Sequence, residues 1–177
     1  MKLAMGRKFA KERLEGPKKP HGRPPKKLHW TVLRELKRAK LERVKKVYSV
    51  IHKATGKVGG NGCGGPIYGE LTMGYNQKVI EFLVDFAHLD CKSRFIDIGC
   101  GLGKPNLHVT QYPGVEFSYG IEIEEVRTNL GLINLYQILQ EKYLDNEMGH
   151  SCLLQHGDIS DAKSLDPFTH VYSFDVG

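Results

Sequence analysis

Residues 93–108 read SRFIDIGCGLGKPNLH, and this stretch decides the fold. Phe95, Ile96 and Ile98 are typical of a buried parallel strand. Gly99, Gly101 and Gly103 follow it at alternate positions. Glycine has no Cβ, so three of them allow a sharp turn toward a helix and let a ligand approach the backbone closely. The stretch therefore predicts a strand, a tight ligand-binding turn and a helix.

The chain after this stretch alternates between short apolar runs and helical segments. Strands are predicted over 94–99, 117–123, 152–156 and 170–174, with helices after Lys104 and over 124–144. Parallel neighbours require crossover connections, usually helical ones, so this alternation favours an α/β fold with a Rossmann-like parallel sheet.

Two helices are predicted before the first strand. The segment 31–53 is basic, with an apolar stripe expected to pack on the domain: Leu33, Leu36, Val44, Val47 and Ile51. The segment 72–89 has its predicted buried side at Val79, Ile80, Leu83, Phe86 and Ala87. Between them lie seven glycines from Gly56 to Gly69, which predict a loop.

The charge of +6 hides two halves of opposite sign. Residues 1–57 hold 19 Lys and Arg against 4 acidic residues, and residues 58–177 hold 7 against 16. Residues 1–27, rich in Lys, Arg and Pro, are predicted to be a disordered arm. We therefore expect a basic arm and helix over 1–57, suited to DNA phosphates, and a ligand-binding domain over 58–177.

Cysteine usage and hydropathy exclude several classes of protein. Cys63, Cys91, Cys100 and Cys152 form no C-x-x-C pair, so neither a metal site nor a disulfide framework is predicted. Neither a signal-peptide core nor an apolar run of about 18 residues is present, so no membrane association is expected. The sequence predicts an intracellular protein with reduced thiols.

Three cofactor patterns compete for the glycine turn, beside a purely structural turn. A Walker loop fails because no glycine stands five residues before Gly103 and Pro105 stands where Ser or Thr is needed. The dinucleotide pattern G-x-G-x-x-G fits Gly99 and Gly101, but its third glycine falls on Lys104. An acidic residue before G-x-G-x-G is the third pattern.

This third pattern resembles motif I of the class I S-adenosylmethionine-dependent methyltransferases, with Asp97 as the acid. The glycines let the backbone approach the amino-acid part and the adenosine of such a cofactor. The Asp97 carboxylate is expected to face the ammonium group or a bound water.

Acidic residues at the next two strand ends extend the resemblance. Glu122 lies nineteen residues after Gly103, where a carboxylate can accept hydrogen bonds from both ribose hydroxyls. The third strand is followed by Asp158 and Ile159, and the superfamily often uses an acid there for the adenine amino group.

Residues 67–83, IYGELTMGYNQKVIEFL, resemble the segment before motif I in the disruptor-of-telomeric-silencing (Dot-one type) family of histone lysine methyltransferases. Tyr68, Gly69 and Glu70 match its Tyr-Gly-Glu motif. Leu71 stands where the family commonly has Thr, and Thr72 follows. The resemblance implies that Tyr68, Gly69, Glu70 and Thr72 help to bind the cofactor.

The resemblance also implies an activity: methyl transfer from S-adenosylmethionine to a core lysine of histone H3 in nucleosomes, within the nucleus. The family's asparagine turn after the fourth strand reads VYSFDVG here, so Asp175 is the candidate for the acceptor channel, beside Tyr68. The superfamily sheet has seven strands and only four are predicted, so the sheet is expected to be incomplete at the C-terminus. A methyltransferase of RNA or another protein, and a non-catalytic chromatin module, remain the alternatives.

Overall fold

A computed structural model describes residues 30–56, 70–141 and 151–174. The helices are α1 (Trp30–Ala54), α2 (Met73–Ala87), α3 (Lys104–Val109) and α4 (Glu125–Gln140). The strands are β1 (Arg94–Ile98), β2 (Phe117–Glu122), β3 (Cys152–His156) and β4 (His170–Ser173). The predicted arm, most of the glycine-rich loop and the end of the predicted fourth helix lie outside the described residues.

The four strands form one parallel sheet in the order β3-β2-β1-β4. The predicted α/β architecture is therefore confirmed. The chain runs outward from β1 through β2 to β3 and then returns to place β4 on the other side of β1. Strand order reverses at β1, and ligands of open α/β sheets bind at such a point, beyond the carboxyl ends of the strands.

Helix α1 has a buried half and an exposed half. Val44, Val47 and Ile51 are buried as predicted, whereas Leu33 and Leu36 are 45% and 50% exposed, which the apolar stripe did not predict. The reason is geometric: only the C-terminal half of α1 lies against the domain. That half contributes to both hydrophobic clusters of the core, so a boundary at residue 57 does not separate two packed units.

Helix α2 begins where the side chain of Thr72 accepts a hydrogen bond from the backbone N–H of Tyr75, an N-cap. It ends at His88, whose left-handed φ of 58° turns the chain. Ile80 is buried as predicted, but the prediction for Phe86 and Ala87 is wrong, since Phe86 is 72% exposed. Helical periodicity groups Phe86 with Phe82, and their ring centroids lie 4.7 Å apart on the outer face.

The core fills the space between the sheet and its helices. One cluster joins α1, α3, α4 and β3, and a second joins α1, α2 and β1. Within the described residues, no helix is long and apolar enough to cross a membrane.

Candidate cofactor-binding site

The loop after β1 needs its glycines for two reasons. Gly99, Gly101 and Gly103 have φ values of 75°, 54° and 75°, in the left-handed region that side chains disfavour. A Cβ on Gly103 would also lie 2.7 Å from a methyl of Leu154, whereas one on Gly99 would meet nothing within 4 Å. Gly103 is therefore required for packing against Leu154, whereas Gly99 leaves open space beside the backbone.

The loop is fastened to the strand and helices around it. The N–H groups of Gly99 and Cys100 donate to the carbonyl oxygen of Ile121, at 2.9 and 3.1 Å. Asn134 on α4 donates to the carbonyl oxygen of Leu102 at 3.2 Å and accepts a hydrogen bond from Thr55 at 2.8 Å. The shape of the loop is therefore fixed from both sides.

Asp97, the last residue but one of β1, is buried with one carboxylate oxygen unsatisfied. The side chain is 1% exposed, and Oδ2 has no hydrogen-bond partner among the described residues. Burial, together with the nearby Glu122 carboxylate, raises the pKa of Asp97 to about 8. A buried oxygen without a donor is costly, and such atoms call for a functional explanation.

Glu122 ends β2 beside the same loop, and its carboxylate is also buried. Its Oε2 accepts from the N–H of Gly101 at 2.8 Å, and its Oε1 accepts from the N–H of Glu124 at 3.0 Å. The guanidinium of Arg127 lies 3.7 Å from Oε1. Glu122 is thus held against the glycine loop by backbone donors and one cation.

A cleft of about 40 Å³ opens at the carboxyl end of β1. It is lined by Glu70, Leu71, Asn76, Asp97, Gly99, Cys100, Gly101, Lys104, Pro105, Tyr172 and Phe174. Lys104 donates to the carboxylate of Glu70, and both side chains are largely buried. One water needs roughly 10–15 Å³ of such volume, so the cleft suits a small charged group and not a whole nucleoside.

The remaining predicted residues either do not line this cleft or lie outside the described part. Asp158 is exposed after β3, where it accepts from the N–H of Ser160 and caps a short 3-10 turn that begins at Ile159. Thr72 caps α2. Tyr68, Gly69 and Asp175, including the candidate for the acceptor channel, lie outside the described residues.

Several residues that line the cleft were not predicted from the sequence, among them Asn76, Lys104 and Tyr172. Asn76 is buried on α2, Lys104 begins α3, and Tyr172 on β4 stacks on Phe95 with ring centroids 5.9 Å apart. A signal for Asn76 existed: it lies four residues before Ile80, on the buried side of the helix, where a polar residue needs a partner.

No group of three or more His, Cys, Asp or Glu residues able to hold a metal ion occurs in the part of the chain that the structure describes. The polar groups at this edge of the sheet include carboxylates, backbone N–H groups and one lysine.

The fold and its glycine loop are those of a Rossmann-like domain of the class I methyltransferase type. Residues 62–149 match the model of the family described as histone methylation protein DOT1. This segment carries the glycine loop, β1, β2 and α4. The predicted resemblance to this family is therefore confirmed.

Several solved structures are similar in fold. A methyltransferase from Geobacter sulfurreducens in complex with S-adenosylhomocysteine shares 16% identity at a TM-score of 0.46, with 72% of this chain and 42% of that chain covered. One from Thiobacillus denitrificans, also with S-adenosylhomocysteine, shares 15% identity at 0.46, with 72% and 42% covered. Magnesium protoporphyrin IX methyltransferase from Synechocystis, with the same molecule bound, shares 16% identity at 0.45, with 80% and 58% covered.

The chain thus spans 42% to 58% of the length of these three structures. No curated protein matched the sequence significantly.

Proposed function

We propose that this chain is the S-adenosylmethionine-binding part of a histone lysine methyltransferase. The observation that carries the proposal is the buried, unpartnered Oδ2 of Asp97, which lies beside the glycine loop of a DOT1-family segment. An ammonium group supplies the donor that this oxygen lacks. The open space at Gly99 admits the rest of an amino-acid end without a clash. The residues around Asp97 therefore fit the amino-acid end of the cofactor.

The proposed roles follow the strand ends. Asp97 binds the ammonium group, Glu122 the ribose hydroxyls and Asp158 the adenine amino group, with Ile159 beside the base. The Glu122 carboxylate is 3% exposed and faces Gly101, so its hydroxyl partners have to reach it through a shift of the glycine loop. We also propose contacts with the cofactor for Glu70, Thr72, Tyr68 and Gly69.

The cofactor supplies an activated sulfonium methyl group, and the protein aligns it with the acceptor. An acceptor lysine has to be neutral to attack, and deprotonation from a pKa near 10.4 costs about 4 kcal/mol close to neutral pH. Apolar surroundings lower that cost by disfavouring the ammonium form. Tyr172 and Phe174 provide such a wall on the β4 side of the cleft, and Asp175 is proposed to orient the lysine.

The proposed acceptor is a core lysine of histone H3 in nucleosomes, and the proposed location is the nucleus. Two features support a nucleosomal substrate: the DOT1 family itself and the excess of positive charge in residues 1–57. The exposed half of α1 presents Arg34, Lys37 and Arg38 along one groove. Lys and Arg side chains bind DNA phosphates with little sequence preference and strong dependence on salt.

Calorimetric titration of S-adenosylhomocysteine into residues 1–177 tests the cofactor site. We expect micromolar binding that is lost in Asp97→Asn and weakened at least tenfold in Glu122→Ala. Glu116→Gln is the matched control, since Glu116 is an exposed carboxylate at the opposite end of β2. Failure of the folded wild-type chain to bind would refute the proposal.

Transfer of a labelled methyl group then tests the acceptor. Nucleosomes, free histone H3, free core histones and RNA are offered in parallel to the chain and to Asp97→Asn. Label on H3 in nucleosomes alone supports the proposed substrate. Label on RNA or on a non-histone protein instead favours another methyltransferase, and binding of DNA that Asp97→Asn leaves intact, with no cofactor affinity, identifies a non-catalytic module.

A further inference from the structure

A chain of buried polar side chains runs from the cleft into the interior between α1, α2 and α3. The amide nitrogen of Asn76 donates to the hydroxyl of Tyr48 at 2.8 Å. That hydroxyl lies 3.3 Å from Nδ1 of His108, and Nε2 of the same ring lies 2.9 Å from Oε1 of Gln77. The rings of Tyr48 and His108 also meet edge to face, 5.6 Å between centroids.

One assignment of hydrogens satisfies the chain. Nε2 of His108 carries the ring proton and donates to Gln77, and Nδ1 accepts from the Tyr48 hydroxyl. The hydroxyl in turn accepts from Asn76, so every link has one donor and one acceptor. Burial lowers the pKa of His108 to about 4, so the ring is neutral at physiological pH and keeps this assignment.

These polar residues are buried at positions where an apolar side chain would have a smaller desolvation penalty. His108 is fully buried and Asn76 is 2% exposed, in the part of the molecule where α1 and α2 build one of the hydrophobic clusters. The hydrogen bonds that link Asn76, Tyr48, His108 and Gln77 are all made, and buried polar links of this kind rigidify the groups they join. The side-chain nitrogen of Gln77, at the far end of the network, is buried without a hydrogen-bond partner among the described residues. The network fixes the amide plane of Asn76, and Asn76 is the member of the network that lines the cleft.

Asn76 faces the same small space as Asp97, Lys104 and Glu70. An amide offers two N–H donors and a carbonyl acceptor, and the contact with Tyr48 uses one of the donors. A group of this kind in a cleft with carboxylates and an ammonium complements a zwitterion, such as the amino-acid end of a cofactor.

We propose that Asn76 binds the amino-acid end of the cofactor, and that Tyr48 and His108 are positioning residues that hold its amide in place. This inference rests on the proposed function of the site.

The test is a double-mutant cycle on the affinity for S-adenosylhomocysteine. Asn76→Ala is expected to weaken binding about tenfold or more, and Tyr48→Phe about threefold to tenfold, because one orienting hydrogen bond is lost. The double variant should bind no more weakly than Asn76→Ala, since Tyr48 acts only through Asn76. Effects that add independently, or no effect of Asn76→Ala, would overturn the inference.

Thr110→Val is the matched control. It removes another buried hydroxyl, one that donates to the carbonyl oxygen of Leu107 at the far end of α3, away from the cleft. It should leave the affinity unchanged even where it lowers the melting temperature. An equal loss of affinity in this control would assign the Tyr48→Phe effect to general destabilisation and refute a positioning role.

A second measurement needs no variant that has to fold. The side-chain amide signals of Asn76 in the nitrogen–proton NMR spectrum of the wild-type chain should shift on addition of S-adenosylhomocysteine, and those of buried Gln111, which donates to the hydroxyl of Thr110, should shift less. If the wild-type chain binds and Asp97→Asn does not, while the Asn76 signals stay in place, the inference fails and the cofactor site stands. If the folded wild-type chain does not bind at all, both fail.

Discussion

As pH rises toward 8, Asp97→Asn should lose less stability than the wild-type chain, although the substitution destroys the cofactor site. An unfolded Asp titrates near 3.9, whereas burial raises the pKa of Asp97 to about 8 in the fold. Between these two values the folded chain holds a proton that the unfolded chain has released. Stability from this group is therefore complete below the unfolded pKa and is lost as pH rises toward 8.

The magnitude follows from one proton. The free energy of unfolding of the wild-type chain should fall relative to the variant by roughly 1.4 kcal/mol for each pH unit in this window. Between pH 5.5 and 7.5 the difference between the two chains should change by about 3 kcal/mol. Any fixed cost of burying the asparagine amide is the same at both pH values and cancels. Titration of His108 is common to both chains and cancels as well.

Urea denaturation at pH 5.5, 6.5 and 7.5, followed by circular dichroism, measures the difference. Glu116→Gln, an exposed carboxylate remote from the cleft, should run parallel to the wild-type chain. Parallel curves for Asp97→Asn, within about 0.5 kcal/mol, would show that Asp97 is ionised in the fold and would refute the reasoning about its environment.

Three further predictions concern the same edge of the sheet. Binding of S-adenosylhomocysteine at pH 7 should release about 0.9 proton from Asp97. Calorimetry detects this release as a binding enthalpy that varies with the ionisation enthalpy of the buffer. A binding enthalpy that is the same in all buffers would contradict an ammonium group as the partner of Asp97. Gly103→Ala should lower the stability of the fold more than Gly99→Ala, since only the Cβ at position 103 meets Leu154, whereas Gly99→Ala should weaken ligand binding more. Denaturation and calorimetry on both variants test this, and the reverse order would contradict the roles given to these glycines. Removal of residues 1–29 should leave the cofactor affinity unchanged. Removal of residues 1–56 should unfold the domain, because α1 contributes to both core clusters. Circular dichroism tests this, and a 57–177 fragment that folds and binds the cofactor would contradict it.

The sequence was most informative where the local pattern and the packing agree. The strands, their parallel direction and the glycine turn followed from the alternation of strands with helices and from glycines that a left-handed φ explains. Phe86 could not be predicted as exposed, because the stripe on α2 has apolar residues on two faces and only the packing partner selects one. The half-exposed α1 has the same cause.

The site was predictable at strand ends and not between helices. Asp97 and Glu122 stand at positions that the order of strands brings together, so their proximity follows from topology. Asn76, Tyr48 and His108 come from three separate helices, and no spacing along the chain links them. Their meeting depends on how α1 and α2 cross, which sequence patterns do not determine.

Helix α1 sets a fixed distance between its exposed first half and the core of the domain. Its 25 residues span about 37 Å, and the exposed first half extends roughly 20 Å from the point where the second half enters the core. Under the proposed function, a phosphate bound by Arg34 or Arg38 would lie at a set distance from the cleft, since the same helix carries Tyr48, which accepts a hydrogen bond from Asn76 in the lining of the cleft. Reach, and not local sequence around the acceptor, would decide which lysine of a large assembly comes to the methyl donor.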